Sequence, residues 1–368
     1  MSTHDKYSSA VERDSWNLPM AGESRFTWEY DDGRKKLLAL YQKGKDKQWD
    51  ATTRIDWSLP LDPMNPLNLP EATLPIFGSH TYEKIKDDAA EMGRLGQHLT
   101  AWQFSQFLHG EQGAMICASR ITESVPDLDA KFYAATQVMD EARHAETYAR
   151  FLQDKVGLLY PINPHLKKLL AQTLSDSRWD MPYLGMQVLI EGVALAAFGM
   201  LRDLTPEALP KQILAYIMQD EARHVAFGRL ALRDFYAQLS DKERDEREEF
   251  VVEGCYLLRD RFNAEEVWQT LGYDVAECTE FVDRSPLTLM YRSLLFTRIV
   301  PCVKDIGLWG PKVQKAYADM GVAGYASTDL TALMKSDEDI AEKIDQEKRL
   351  AVRKEEVAEV IRFGVAEG

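Results

Sequence analysis

Apolar and polar residues alternate through the middle of the chain with the period of an α-helix, and prolines divide this part into long segments. The pattern predicts four long helices, over residues 82–123, 126–156, 177–204 and 206–239. Pro126 stands before the second helix, and Pro206 stands in the same place before the fourth. Because the turn repeats as well as the helices, we expect two similar helix pairs.

The flanking regions have different patterns. Residues 1–32 are mostly polar and predict an irregular arm, and Arg34–Asp50 predicts an amphipathic helix. Residues 57–76 contain five prolines, which exclude a continuous helix, but also apolar residues that need cover, so an ordered extended crossing is favoured over a disordered linker. After residue 240 the pattern stays helical, and we interpret 335–363 as a solvated outer helix in preference to a docking face. We therefore predict an all-α fold in three parts, over 1–76, 77–240 and 241–368.

A repeated pentapeptide lies within this pattern. Asp-Glu-Ala-Arg-His occurs at Asp140–His144 and again at Asp220–His224, and each copy follows another Glu, Glu111 or Glu191, by the same interval. Within each copy Glu and His are three residues apart, so both lie on one helix face. The two halves thus match at one constant offset, which is also the offset between Pro126 and Pro206. The pattern predicts a two-fold set of four carboxylates and two imidazoles.

Such a set suits two hard or borderline cations, which carboxylates bridge and neutralise while each imidazole adds one nitrogen. A solvated helix surface is the alternative interpretation for any single Glu-x-x-His. It is disfavoured here because Glu111 and Glu191 lie within apolar runs, where an unpaired carboxylate would be costly to bury. The predicted metal ligands are Glu111, Glu141, His144, Glu191, Glu221 and His224.

These motifs resemble the ferritin-like di-iron carboxylate superfamily, in particular its O2-activating oxygenases and oxidases. The resemblance covers residues 83–238 and implies a ferritin-like four-helix bundle with a buried dinuclear site and additional peripheral helices. It implies two iron ions as cofactor, with Mn/Fe or Mn/Mn as alternatives, and O2 as co-substrate. It also implies that Asp140 and Asp220 accept hydrogen bonds from the imidazoles, and that Arg143 and Arg223 neutralise these aspartates.

Other residues are candidates for the surroundings of the metals. Tyr148, one turn after His144, is either a redox-active phenol or a core tyrosine, whereas the matching position after His224 is Gly228. Gln137 is favoured as a helix-interface amide over a partner of a ligand. His109 faces away from Glu111 unless the helix breaks near Gly110. The residues expected to line an apolar substrate pocket are Phe107, Ala114, Met115, Leu195 and Phe198.

Composition limits the function classes. The formal charge of −15 and the pI near 5.0 argue against nucleic-acid binding. The four cysteines have no CxxC spacing, and the N-terminal residues lack an apolar export segment, so we expect a cytoplasmic protein without a membrane span. The chain has neither a dinucleotide fingerprint nor iron–sulfur cysteines, which predicts a separate electron donor, a reductase or ferredoxin. A homodimer is the expected assembly.

Three functions remain open. The favoured one is a di-iron, or Mn/Fe, monooxygenase that hydroxylates, N-oxygenates, epoxidises or desaturates a small, largely apolar substrate. A radical-storing subunit like that of ribonucleotide reductase would use Tyr148, but that family usually has Asp in place of Glu111. Iron storage would leave about half of the chain unexplained. Among oxygenases the N-oxygenase branch is disfavoured, because it usually adds a further histidine that the fourth helix lacks before His224.

Overall fold

The structure is a computed structural model that describes residues 3–9, 16–20, 22–31 and 33–366, with side chains described between residues 5 and 354. Within these ranges the secondary structure is helical apart from an isolated bridge between Tyr7 and Leu159. In chain order the α-helices are α1 (Lys35–Asp46), α2 (Ala51–Arg54), α3 (His80–Ile85), α4 (Ala89–Ser124), α5 (Leu128–Arg150), α6 (Pro164–Ser175), α7 (Asp180–Tyr183), α8 (Glu191–Leu204), α9 (Ala208–Tyr236), α10 (Asp241–Asp260), α11 (Glu265–Leu271), α12 (Val275–Arg284), α13 (Pro286–Leu294), α14 (Ile299–Asp305), α15 (Pro311–Asp319) and α16 (Leu330–Ala366).

The core is a four-helix bundle in which α4 packs on α5 and α8 packs on α9. The Asp127 side chain accepts a hydrogen bond from the backbone N–H of Ala130, which fixes the start of α5 shortly after Pro126. One continuous apolar core joins the bundle to the later helices. The fold is therefore all-α, as the apolar pattern predicts.

The first long helix has a break that the sequence analysis did not predict. The predicted helix over 82–123 is interrupted at residues 86–88, where the Asp88 side chain accepts from the backbone N–H groups of Ala90 and Glu91 and starts α4. From there α4 runs unbroken through Gly110 and Gly113. The N-cap aspartate sets the first residue of α4, whereas an isolated glycine inside a helix lowers its stability only modestly and does not end it.

Two segments of the bundle are π-helical. Phe151–Val156 continues α5, and Leu184–Ile190 joins α7 to α8 immediately before Glu191. A π-helix closes its hydrogen bonds over five residues, so it rotates the next turn relative to an ideal α-helix. In the predicted helix over 177–204, residues before and after the π-helical segment therefore do not lie on the faces that a regular α-helix would give them.

The last helix docks on the protein's own chain. α16 packs against α9, and it pairs with the N-terminal region through Lys43–Glu338, Lys47–Glu342 and Arg54–Asp345. Asp337 is buried against Arg202 and Arg298. Most described side chains of α16 are exposed, as expected of a solvated outer helix, and ion pairs with the region of α1 and α2 hold its first half in place.

The apolar stretch over Asp180–Leu204 passes a length-and-hydropathy criterion for a membrane span, but 83% of its most apolar window is buried inside the protein. It is a core helix of the bundle, as its interruption by Glu191 predicts.

Candidate metal centre

The four bundle helices bring the six predicted ligands into one cluster at the centre of the core. Their side chains are Glu111 on α4, Glu141 and His144 on α5, Glu191 at the start of α8, and Glu221 and His224 on α9. None of the six residues is more than 5% exposed. Because Glu-x-x-His places both side chains on one helix face, two such helices packed against each other bring the pairs together.

The cluster consists of two overlapping groups that share Glu141 and Glu221. The Nδ1 atom of His144 lies 3.3 Å from Glu141 Oε2 and 3.0 Å from Glu221 Oε1. The Nδ1 atom of His224 lies 3.1 Å from Glu141 Oε1 and 3.5 Å from Glu221 Oε2. Each shared glutamate thus presents one oxygen to each imidazole, the arrangement of a carboxylate that bridges two cations. Glu111 completes the group of His144, and Glu191 completes that of His224.

The donor atoms of the cluster lack other partners. Glu141 Oε2, Glu191 Oε2, both Glu221 oxygens and the two Nδ1 atoms are buried and make no hydrogen bond within the described part of the chain. Each unsatisfied buried polar group costs about 1–3 kcal/mol, and more if it is charged. The ligand atoms of each group lie within 4.8 Å of one another. Four carboxylates carry the charge that two divalent cations neutralise, so the residues fit a metal pair.

Electrostatics favour the same conclusion. Burial, and then the negative charge of Glu221, raise the pKa of Glu111 well above its ordinary value. Burial and the charges of Glu221 and Glu141 do the same for the pKa of Glu191. Since burial and repulsion by neighbouring carboxylates oppose the ionisation of Glu111 and Glu191, these two glutamates need positive charge at the centre of the cluster to be ionised.

The outer imidazole nitrogens bind aspartates of the opposite half. His144 Nε2 lies 3.1 Å from Asp220 Oδ2, and His224 Nε2 lies 3.2 Å from Asp140 Oδ2. The repeat places each Asp beside a His in sequence, yet the contacts cross between α5 and α9. A carboxylate at this position fixes the tautomer and the ring orientation of a metal-binding histidine.

Two arginines neutralise these aspartates. Arg143 donates to Asp140 Oδ1 at 2.5 Å and to Asp220 Oδ2 at 2.8 Å, and Arg223 donates to Asp220 Oδ1. Burial alone would raise the pKa of Asp220, but the charge of Arg223 and the hydrogen bond with His144 hold this pKa well below its ordinary value. The aspartate is therefore a permanent anion at neutral pH.

The N-terminal region adds two residues that the sequence analysis did not identify. The Trp49 indole N–H donates to Asp220 Oδ2 at 2.7 Å, and the Gln48 amide donates to Asp140 Oδ1 at 2.8 Å. Gln48 also accepts from Arg143, whose guanidinium lies 4.7 Å from the Trp49 ring centroid. These contacts join residues 92 and 171 positions apart, which no local spacing reveals.

Gln137 donates hydrogen bonds to two of the cluster's carboxylates, so the preference for an interface amide over a partner of a ligand was wrong. Its amide donates to Glu141 Oε1 at 2.9 Å and to Glu191 Oε1 at 2.8 Å, and it accepts from Gln187. Gln187 occupies the space beside Gly228, where an added Cβ would lie 2.5 Å from Gln187 Cβ. The glycine at the position matching Tyr148 thus makes room for this amide.

Tyr148 is fully buried, and within the described residues its hydroxyl has no hydrogen-bond partner. Its ring contacts Phe104, Phe107 and Phe198, with ring centroids 5.7–5.9 Å apart. Burial, followed by the charges of Glu111 and Glu221, raises its pKa well above the ordinary value. Tyr148 is therefore a neutral phenol in an aromatic cluster next to the carboxylates.

A small cavity of about 30 Å³ reaches Glu111, Glu191 and Glu221 from the side of α4 and α8. Its other lining residues are Gln106, Phe107, Gly110, Ala114, Leu166, Met186, Ile190, Ala194, Phe198 and Arg261. Three of the five predicted pocket residues are among them, whereas Met115 and Leu195 are not. Arg261 was not predicted, because it follows α10 and lies far from the repeat in sequence.

Helix geometry explains why Met115 and Leu195 do not line the cavity. Around α4, Phe107, Gly110 and Ala114 lie on one side of Glu111, while Met115 is rotated about 40° to the other side. Before Glu191 the π-helix replaces the α-helical period, so Met186 faces the cavity from within that segment. Ala194 and Phe198 come next on the same side, and Leu195 is buried in the core instead.

His109 stays away from the cluster. Since α4 does not break at Gly110, the His109 ring remains on the far side and its Nε2 hydrogen-bonds the Tyr160 carbonyl oxygen at 2.9 Å. The two ligand groups found among the described residues contain no histidine besides His144 and His224.

The chain is similar to one protein family and to several solved structures. A profile of the family described as p-aminobenzoate N-oxygenase AurF matches residues 31–307, more than half of the chain. A search of curated proteins finds no match. Among solved structures, two variants of an R2-like ligand-binding oxidase with anaerobically reconstituted Mn/Fe cofactor are 18% identical, each with a TM-score of 0.46; the alignments cover 74% and 76% of this chain and 94% and 100% of those chains.

The family match corrects one expectation. The lack of a further histidine before His224 disfavoured the N-oxygenase branch, yet the profile covers both halves of the repeat. That one histidine position was therefore a poor criterion, and the repeated ligand motifs were the better guide. The chain belongs to the p-aminobenzoate N-oxygenase AurF family, and it is a di-metal oxidoreductase of ferritin-like, all-α fold whose cofactor is a pair of iron ions or an Mn/Fe pair.

Proposed function

We propose that this protein is a monooxygenase that transfers one atom of O2 to the amino group of a small, largely apolar aromatic amine. The observation that carries the proposal is the cavity that ends on Glu111, Glu191 and Glu221, with aromatic and aliphatic walls. A substrate would therefore reach the metals from this side of the cluster. The choice of an amine rests on the family, whose description names an N-oxygenase.

The reaction balances as amine, O2, two electrons and two protons giving hydroxylamine and water. The metal pair would supply the reduction of O2 and the transfer of one oxygen atom. Glu111, Glu141, His144 and Glu221 would hold one ion, and Glu141, Glu191, Glu221 and His224 would hold the other. Fe/Fe and Mn/Fe pairs both suit these ligands.

The protein's own residues would hold the site rigid and dry. Asp140 and Asp220 fix the imidazoles from outside, and Gln137 fixes Glu141 and Glu191. Phe107, Ala114 and Phe198 exclude water from the cavity by their apolar surfaces. A cavity of about 30 Å³ has room for little more than water, so lining side chains must move aside when an aromatic substrate binds.

Electrons would come from a separate reductase or ferredoxin. The four cysteines are buried, free and scattered over the fold, which agrees with the lack of an iron–sulfur motif. The cytoplasmic location and the homodimer likewise remain predictions from the sequence.

The test is isotopic. Protein loaded anaerobically with Fe(II) is supplied with a chemical reductant, ¹⁸O₂ and a panel of aromatic amines, and products are identified by mass spectrometry. We expect one ¹⁸O atom on nitrogen in the wild type and in Glu146→Ala, an exposed change on α5, and no product in Glu111→Ala. Label on carbon, or metal-loaded protein that oxidises no amine, would contradict the proposal.

A further inference from the structure

The two halves of the repeat differ in the residue that stands one helical turn before each ligand glutamate. The four residues at these positions are Phe107, Gln137, Gln187 and Ile217. All four are buried, and two of them carry an amide while the other two are apolar. Wherever one half has the amide, the matching position of the other half has the apolar side chain. Hydrogen-bond donors therefore reach the cluster at some ligands and not at their symmetry mates.

Both hydrogen bonds that Gln137 donates go to the ligand group of His224. One goes to Glu191 Oε1 at 2.8 Å. The other goes at 2.9 Å to Glu141 Oε1, the oxygen of this shared carboxylate that lies 3.1 Å from His224 Nδ1. Gln187 donates to the side-chain oxygen of Gln137 at 3.3 Å, which fixes the direction of the amide. Gln137 thus holds two carboxylate oxygens in place on the His224 side.

Glu111, the symmetry mate of Glu191, has no such support. Among the described residues its carboxylate makes one hydrogen-bonding or ion-pair contact, with His144 Nδ1 at 3.4 Å. That nitrogen is itself a ligand atom, so a bound ion would take the place of this contact. Ile217, which matches Gln137, has no side-chain group that donates a hydrogen bond. The position of Glu111 is therefore not set before an ion arrives.

We infer that Gln137 is a positioning residue that makes the two metal positions unequal, so that the ion beside His224 binds first and the ion beside His144 binds second. The inference rests on the metal centre that the proposed function uses, and not on the oxidation of an amine. A ligand that is already held in its binding geometry loses less conformational freedom on binding than one that must first be ordered. Removing a hydrogen-bond partner of a metal ligand usually lowers metal affinity about 10–100-fold.

The distribution of a limiting amount of Mn(II) tests the inference. Metal-free protein is crystallised with half an equivalent of Mn(II) per chain, and the occupancy of each position is measured by anomalous diffraction at the manganese edge. Few chains then hold two ions, so the ratio of occupancies reflects the two affinities without repulsion between ions. We expect the position beside His224 to be filled at least about tenfold more than the position beside His144 in the wild type.

Replacing the amide should remove this inequality. In Gln137→Leu, which gives the first half a side chain like Ile217, the two positions should fill to similar extents. Gln212→Leu is the matched control, because this glutamine is also buried in the bundle but accepts a hydrogen bond from the Asp56 N–H outside the cluster. The control should keep the wild-type ratio.

Thermal unfolding of the metal-free variants separates positioning from folding. Gln137→Leu and Gln212→Leu each leave one buried N–H without its acceptor, so both should lower the melting temperature by similar amounts. Gln187→Leu keeps Gln137 but removes the donor that orients it, so it should shift the occupancy ratio in the same direction and to a smaller extent. It repeats the test if Gln137→Leu does not fold.

Equal filling of the two positions in the wild type, a larger peak beside His144, or a wild-type ratio in Gln137→Leu would overturn the inference. A wild-type ratio in Gln187→Leu would overturn it if Gln137→Leu did not fold. The two proposals fail separately. Unequal filling without any amine oxidation would keep the role of Gln137 and remove the N-oxygenase, and amine oxidation with two equally filled positions would do the reverse.

Discussion

The two faces of the metal centre differ in what surrounds them. On the α5–α9 face, a network of charged and hydrogen-bonded side chains fills the space behind the two imidazoles, and it includes Asp140, Asp220 and Trp49. On the α4–α8 face, the carboxylates of Glu111 and Glu191 meet an apolar cavity. The side chains of the first face hold the metal ligands in place, while the second face leaves space for a substrate beside the carboxylates. A change on the first face should therefore affect metal binding, and a change on the second should affect the substrate.

The two halves of the repeat also differ. Their ligands match at one constant offset, but Phe107 and Tyr148 in one half correspond to Gln187 and Gly228 in the other. One half packs aromatic rings near Glu111, and the other supplies amides that reach Glu191 through Gln137. Each half needs the same ligand residues because each holds one metal ion. A single substrate site, by contrast, needs a lining from only one of the two halves.

The largest effect is expected at a shared ligand. Glu141→Ala removes a carboxylate common to both groups, so both metal ions should be lost, down to less than a tenth of the wild-type content measured by elemental analysis after Fe(II) loading. Glu146→Ala, on the exposed side of the same helix, should keep both ions. Two ions per chain in Glu141→Ala would show that Glu141 is not a bridging ligand.

A large effect is also expected on the network face. Asp220→Asn leaves His144 without its aspartate, and it leaves Arg143 and Arg223 with Asp140 as their one remaining anion among the described residues. Metal affinity should fall about 10–100-fold, measured by competition with a chelator. The free energy of unfolding should fall by about 3–5 kcal/mol, measured by denaturant titration.

Asp234→Asn is the control for this change, since Asp234 is 65% exposed on the same helix. If Asp220→Asn behaved like Asp234→Asn in both measurements, the network would not hold the ligands.

Two glycines near the cluster should respond to alanine in opposite directions. In Gly228→Ala the new Cβ would meet Gln187 Cβ at 2.5 Å, so we expect a loss of about 1–3 kcal/mol in unfolding free energy.

In Gly110→Ala no atom lies within 4 Å of the new Cβ, so we expect the unfolding free energy to rise by about 1 kcal/mol because alanine favours the helix more than glycine does. Because Gly110 lines the cavity, this variant should also bind aromatic ligands more weakly with unchanged metal content. Destabilisation by Gly110→Ala would show that the cavity is smaller than the structure indicates.

The smallest effect is expected for Tyr148→Phe. The hydroxyl has no partner among the described residues, so its removal should change the unfolding free energy by less than about 1 kcal/mol and leave metal content and oxygenation intact. Loss of oxygenation together with loss of a tyrosyl signal in electron paramagnetic resonance would instead assign the radical role to Tyr148.

The residues that gather at the cluster were accessible from the sequence because they obey local rules. A three-residue spacing puts Glu and His on one helix face, and the repeat of the whole motif indicates that two such faces meet. Met115 and Leu195 were predicted for the cavity and do not line it. A single helix predicts a face but not the direction in which a neighbour approaches, and the π-helix before Glu191 changes the period without an evident sequence mark.

The partners from distant elements were not accessible. Gln48 and Trp49 reach the site from the turn between α1 and α2, and Arg261 reaches it from the end of α10. Nothing in their own segments indicates which carboxylate or cavity they will meet. The position of α16 likewise depends on ion pairs with lysines 295 residues earlier. Long-range packing of this kind depends on the tertiary fold and not on periodicity.

A crystal structure of the iron-loaded protein, with anomalous diffraction measured at the iron edge, would show whether the bundle holds a metal pair. We predict two anomalous peaks, one beside His144 and one beside His224, with Glu141 and Glu221 between them and the α4–α8 cavity opening onto both. A single peak, no peak, or peaks coordinated by other residues would contradict the assignment of the metal centre.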